Sequence, residues 1–220
     1  MRNMLNELLD AGFVAIARGL PENKLADVAQ ALCEGGVRFF EVTFDQRRED
    51  AQALLARSLH AIYSRVGDRM VLGAGTVMTA GQVKAAHDAG ASYIVSPNTD
   101  VPVIEAAKKL GMLVSPGAFT PSEAALAYAA GADIVKLFPA ASMGFDYIRY
   151  LRGPLNYIPF MATGGVTPEN IPEFFAAGVQ VVGTCPTVIP ARDVERENYS
   201  HITQLARIHM EAVRKGRQLV

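Results

Sequence analysis

The chain has 220 residues, 50% of them hydrophobic, with 21 basic and 22 acidic side chains and a formal net charge of −1. That is enough apolar material for one substantial core, and the near balance of charge excludes attraction to nucleic acid or a membrane surface by bulk electrostatics. Two cysteines, Cys33 and Cys185, make neither a disulfide framework nor a zinc site, the first ten residues lack a signal-peptide pattern, and no apolar run approaches the roughly 18 residues of a membrane span, so a cytoplasmic setting is the expectation.

Taken in order, the chain alternates helical and strand patterns. Arg2 to Asp10 reads as a helix with Met4, Leu5, Leu8 and Leu9 on one face, ended by Gly12. Phe13 to Ala17 is a first strand that finishes at Arg18-Gly19. Pro21 opens a helix with Leu25, Val28, Ala29 and Leu32 on its apolar side. Strands then recur at Val37–Thr43, Met70–Gly75, Ser92–Ser96, Met112–Ser115, Ala132–Ala140, Pro159–Thr163 and Val179–Gly183. Helices fall between them at Asp50–Tyr63, Thr79–Ala89, Val101–Leu110, Pro121–Ala130, about Gly144–Leu151, and Pro168–Ala177. Gly90, Gly111, Gly131 and Gly178 stand where a left-handed residue stops each of four helices. After Pro190 the chain is polar up to Tyr199; a last helix carries Ile202, Leu205, Ala206 and Val213, and Arg214-Lys215-Gly216-Arg217 reads as a solvated tail. Eight apolar strands alternating with helices predict an α/β fold, a (β/α)8 TIM barrel with an extra N-terminal helix, spanning 1–220 as one domain. An open doubly wound sheet is the alternative, with fewer strands expected.

The sixth strand carries an anomaly. Lys136 lies between Ile134-Val135 and Leu137-Phe138, where its ammonium cannot easily reach water. Burial favours the neutral amine, and a neutral amine in a dry pocket attacks carbonyl carbon. The competing reading is a lysine that snorkels to solvent or pairs with a carboxylate. Strand alternation places Phe39, Glu41 and Thr43 on one face of the second strand and Ile134, Lys136 and Phe138 on one face of the sixth. If both faces point inward, an acid and an amine share one cavity. Glu41 is then a general acid/base, a neutralising partner for Lys136, or both.

Active sites of such barrels lie at the C-terminal ends of the strands. There, Gly164-Gly165 and Gly183 suit a phosphate, since glycine lets backbone N–H groups approach and the helix near Pro168 presents its positive end; the plain alternative is tight turns. Thr184 follows Gly183 as a further substrate-binding candidate. Arg18 is the arginine at a strand end and can grip a carboxylate in two parallel bonds, or pair internally with Glu41 or Asp45. Thr76 can bond the same carboxylate, Thr79 being the better helix cap. Cys185 reads as an inert small residue with no histidine near it in sequence. His60, His87, His201 and His209 fall on helices without metal-ligand spacing, so no metal is assigned.

Glu41-Val42-Thr43, Gly73-Ala74-Gly75-Thr76-Val77, Ser96-Pro97, Ser115-Pro116-Gly117, Lys136-Leu137-Phe138-Pro139-Ala140 and Thr163-Gly164-Gly165-Val166 occur in this order. Together they resemble the KDPG/KHG aldolases, class I enzymes acting on 2-keto-3-deoxy-6-phosphogluconate or 4-hydroxy-2-oxoglutarate. The resemblance covers roughly Phe13 to Val188. It implies a Schiff-base Lys136, a proton-shuttling Glu41, a pyruvate pocket lined by Thr76, Pro97 and Phe138, a phosphate held by Gly164 and Gly165, no cofactor, and a homotrimer. It also implies a keto-acid partner cleaved to pyruvate plus an aldehyde such as glyceraldehyde 3-phosphate or glyoxylate. Two positions depart from the pattern. Asp45 stands where the phosphogluconate enzymes usually carry arginine, and Thr184-Cys185 replaces a glycine-serine pair. The branch resembling phosphogalactonate aldolases also lacks that arginine and carries the Arg-Gly seen here as Arg18-Gly19. The alternatives are a barrel isomerase or epimerase of sugar phosphates, using Glu41 as base and Lys136 as a charge, and a non-catalytic keto-acid-binding relative.

Overall fold

The computed structural model describes residues 2–219. Its strands are β1 (Phe13–Ala17), β2 (Phe39–Thr43), β3 (Val71–Gly75), β4 (Tyr93–Val95), β5 (Leu113–Ser115), β6 (Gly117–Ala118), β7 (Val135–Leu137), β8 (Phe160–Thr163) and β9 (Val181–Thr184). All pairings are parallel, in the order β5-β4-β3-β2-β1-β9-β8-β7-β6. β5 and β6 are two halves of one run, broken at Pro116, which has no N–H to give the ladder. The Pro116 carbonyl still accepts from Lys136 N at 2.9 Å, so the ring of strands closes across the break. The eight-stranded barrel is realised with its fifth strand interrupted.

The helices are α1 (Arg2–Ala11), α2 (Leu25–Glu34), α3 (Ala51–Val66), α4 (Ala80–Asp88), α5 (Val101–Lys109), α6 (Pro121–Ala129), α7 (Ala140–Met143), α8 (Phe145–Arg152), α9 (Ile171–Ala176), α10 (Ala191–Glu195) and α11 (Tyr199–Arg217). The glycines after α4, α5, α6 and α9 have φ of +88°, +72°, +105° and +95°, the left-handed stop expected from the sequence. Thr79 caps α4 by accepting from Gln82 N.

Strand alternation sorts the apolar side chains into two layers. Phe40, Val42, Val135, Leu137 and Val182 point out to the helices, while Val14, Phe39, Tyr93, Ile134, Met161 and Val181 fill the interior. α1 lies across the N-terminal end of the barrel. Its Leu8 is buried in the interior cluster, with Met4, Leu5 and Leu9 packed against it. Burying a leucine side chain of this kind is worth about 1.5–3 kcal/mol.

Several boundaries differ from the sequence reading. The helix expected from Pro168 begins at Ile171, because Thr167 to Asn170 form a turn closed by Thr167 N donating to Asn170 Oδ1 at 2.8 Å. The helix after the lysine strand is preceded by the short α7, and α10 lies in the segment read as merely polar. The closing basic residues, Arg214, Lys215 and Arg217, are exposed as expected but belong to a helix and not to a tail. α11 continues to Arg217, Gly216 is buried with Phe175 close against it, and Arg217 donates to the carbonyls of Leu9 and Asp10. Charge hid a docking role: one glycine lets the helix approach α9, and a guanidinium takes up two carbonyls at the end of α1 that helix geometry leaves without partners.

Candidate active site

β2 and β7 set the chemistry. Glu41 is 1% exposed and Lys136 5%, so both charged groups lie inside the barrel, as the alternation requires. No direct ion pair joins them among the described residues, and Glu41 Oε2 has no hydrogen-bond partner. Desolvation pushes the Glu41 carboxyl up, opposed by the positive charges of Lys136 and Arg18. Desolvation pushes the Lys136 ammonium down, opposed by Glu41 and helped by Arg18. Desolvation therefore moves the two groups toward their neutral forms from opposite sides. Phe138, two residues on, roofs the amine: Lys136 Nζ lies 4.6 Å from the ring centroid, and the ring itself is partly exposed at the mouth.

The back wall of this chamber is made of glycine. A Cβ on Gly75 would fall inside the Glu41 carboxylate, and one on Gly73 inside the Tyr93 ring. Gly117 leaves room for the Pro97 carbonyl, which seats Pro97 beside the break in the fifth strand. Three more buried hydroxyls on interior-facing strands, Tyr93, Ser115 and Thr163, have no partner. Buried polar atoms are rarely left unsatisfied, so a cluster of them at one end of a barrel marks where a polar ligand belongs. The sequence reading did not select these three. Their signal was present in the period-2 pattern, since Tyr93 shares a strand face with Val95 and Thr163 with Met161.

At the rim, Arg18 Nη2 donates to Thr76 Oγ1 at 3.2 Å, so these two candidates meet. Thr76 has φ +56°, a left-handed conformation costly for a β-branched residue. Gln46 Nε2 donates to its carbonyl at 2.6 Å, and the Gln46 amide oxygen accepts from Gln82 Nε2 at 2.8 Å. Asp45 does not pair with Arg18. It accepts from Arg47 N, Nε and Nη2 at 3.0–3.1 Å, and that guanidinium holds its pKa down at about 2.

The β8 and β9 exits carry the remaining candidates. Gly164 and Gly165 have φ of +88° and +77°. Gly183 faces inward, where a Cβ would stand 2.9 Å from Thr163 Cγ2. Thr184 is not brought to the mouth by its side chain. One residue further along β9 it points outward, and its hydroxyl lies 3.0 Å from the Val166 carbonyl and 2.9 Å from Thr187 Oγ1. Cys185 returns to the interior face, packed against the inner cluster; burial pushes its thiol up. Among the described residues no group of three or more His, Cys, Asp or Glu side chains could hold a metal ion, and no helix is long and apolar enough to cross a membrane.

A parallel barrel with a desolvated amine and a desolvated carboxyl at the C-terminal ends of its strands defines a class, the class I aldolases, lyases that work through an imine on a lysine. The family model for KDPG and KHG aldolase matches residues 5–205. The chain is 37% identical over 172 residues to the 2-dehydro-3-deoxy-6-phosphogalactonate aldolase of Escherichia coli K12, covering 77% of this chain and 80% of that one. A solved structure of native KDPGal superposes with a TM-score of 0.82 at 33% identity, covering 94% of this chain and 96% of the other. The KDPG aldolase of Legionella pneumophila, solved with pyruvate captured as a covalent carbinolamine, gives 0.82 at 26% identity over 94% and 98% of the two chains. This chain belongs to the KDPG and KHG aldolase family and cleaves a keto acid to pyruvate and an aldehyde.

Proposed function

We propose that Lys136 is the imine-forming residue, that Glu41 carries the proton, and that the substrate is a 2-keto-3-deoxy sugar acid phosphorylated at C6, with the galactonate configuration favoured. The observation that carries this reading is the burial of both groups in one chamber with a carboxylate oxygen left without a partner. The neutral Lys136 amine attacks the C2 carbonyl, and loss of water gives a protonated imine. Glu41 accepts the proton of the C4 hydroxyl as the C3–C4 bond breaks, the electrons pass into the imine, and the aldehyde leaves. Glu41 returns the proton to C3 of the enamine, and water releases pyruvate. A carboxyl raised toward neutrality suits both halves of that shuttle.

Arg18 and Thr76 take the substrate carboxylate, with Asp45 neutralised by Arg47 and so unable to repel it. Pro97 and Phe138 enclose the pyruvyl carbons, and the turn at Gly164-Gly165, with Gly183 beside it, receives the phosphate. The galactonate preference is supported by Arg18-Gly19 and by the similarity to the E. coli phosphogalactonate aldolase. Borohydride reduction in the presence of pyruvate, followed by peptide mapping, tests the core of this proposal. The adduct is expected on Lys136, and an adduct mapped to any other lysine overturns it. We also infer a homotrimer working in the cytoplasm. Support for assembly comes from exposed apolar side chains around α6: Phe119, just before the helix, stacks on Tyr147, Tyr128 meets Tyr157 edge-on, and Leu126 is half exposed. Light scattering should give three times the chain mass, and a lower mass for Leu126→Glu.

A further inference from the structure

The turn leaving β8 is tethered at three consecutive carbonyls. Gly164 O accepts from Ala141 N at 3.0 Å, and Gly165 O from Asn170 Nδ2 at 2.9 Å. Val166 O has two hydroxyls on it, Thr184 Oγ1 at 3.0 Å and Thr187 Oγ1 at 3.2 Å. Among the described residues no protein acceptor is bonded to the N–H groups of Gly165 or Val166. Carbonyls tied back and N–H groups left free is the polarity an anion needs. Glycine permits this backbone conformation but does nothing to hold it.

What holds the third carbonyl starts on a different element. His209 of α11 is fully buried, its ring 5.5 Å from that of Phe13 on β1. Its Nδ1 lies 2.7 Å from the Leu205 carbonyl, so that nitrogen carries the proton and Nε2 is left as acceptor. The one proton of the Thr187 hydroxyl goes to Nε2 at 3.0 Å, which leaves Thr184, its Oγ1 2.9 Å from Thr187 Oγ1, as the donor to the Val166 carbonyl. An unbroken line of polar contacts thus runs from the last helix through both threonines to Val166, one residue beyond the glycine pair.

We infer that Thr184, backed by Thr187 and through it by His209, is a positioning residue for the anionic end of the substrate, locking the Gly164–Val166 turn through the Val166 carbonyl. The inference rests on the reading of that turn as the phosphate end, and adds to it three side chains that touch no reacting atom. It also gives Thr184 a purpose: in place of contacting substrate from the mouth, it secures the loop that does.

The test compares cleavage of a 6-phosphorylated 2-keto-3-deoxy acid with cleavage of its unphosphorylated counterpart, on wild type, Thr184→Val and Thr184→Ser. Valine keeps the shape and removes the hydroxyl. The preference for the phosphorylated acid, as a ratio of kcat/KM values, should fall about tenfold in Thr184→Val, the cost of one buried hydrogen bond. The loss should appear in KM, and serine should restore it. A preference retained in Thr184→Val, or a loss confined to kcat for both acids alike, overturns the inference. A wild type that does not distinguish the two acids overturns the phosphate reading itself, and that result is in hand before any variant is made.

Discussion

The two ends of the barrel interior are built from the same strands and treat polarity in opposite ways. The N-terminal end is dry: Leu8 of α1, Val14, Phe39, Ile134 and Val181 pack against one another without a polar atom to satisfy. The C-terminal end holds Lys136, Glu41 and three hydroxyls, with four buried polar atoms unpartnered among Glu41, Tyr93, Ser115 and Thr163. A step of two residues along β2, from Phe39 to Glu41, crosses from one regime to the other. One end supplies packing energy and the other spends part of it on groups held ready for chemistry.

Breaking the polar end should cost activity and little stability. Lys136→Ala is expected to lower kcat by about 10⁴-fold or more, since it removes the amine proposed to form the imine; single-turnover pyruvate release measures it. Glu41→Gln is expected to lower kcat about 10²–10⁴-fold, as loss of a general acid/base does. Arg18→Ala should raise KM for the sugar acid by about tenfold or more, through loss of charge-assisted bonds to the carboxylate, with kcat the less affected.

Breaking the dry end should do the reverse. Leu8→Ala is expected to destabilise by about 2–5 kcal/mol in urea unfolding, with kcat at the wild-type value. Parallel loss of kcat would show the two ends to be coupled.

The finest test is the pH dependence of stability. Burial raises the Glu41 pKa in the folded state, so the protonated acid is the form that the fold favours. Its contribution is then fully present below the unfolded pKa and is lost as pH climbs through the folded one. Glu41→Gln should therefore stabilise the protein more at pH 8 than at pH 4, by about 1 kcal/mol or more. A gain that is equal at both values would mean the carboxyl is not desolvated.

Much of this was legible in the chain. Lys136 in an apolar strand and Glu41 at the same parity on another announce a chamber, because a barrel interior converts alternation into proximity. The helix stops at Gly90, Gly111, Gly131 and Gly178 were legible for the same reason, a local rule with a local cause. What escaped reading was set by contacts distant in sequence. Nothing near Thr184 says that its hydroxyl turns outward to Val166, a partner on another strand's loop. His209, 43 residues beyond Val166 by numbering, reaches that loop only through the packing of α11. Arg217 looked like a surface charge until α1 came to lie beside it. The hydroxyls of Tyr93, Ser115 and Thr163 were visible but unremarkable singly, and acquire meaning as a set.

The glycines behind Glu41 restrict how this enzyme can be altered. Since even a methyl group at position 75 would occupy the place of the acid's oxygen, mutagenesis from within cannot enlarge or reshape the proton-transfer compartment. Variation that survives has to come from the entrance. Libraries aimed at new aldehyde partners should leave the interior of the third strand alone.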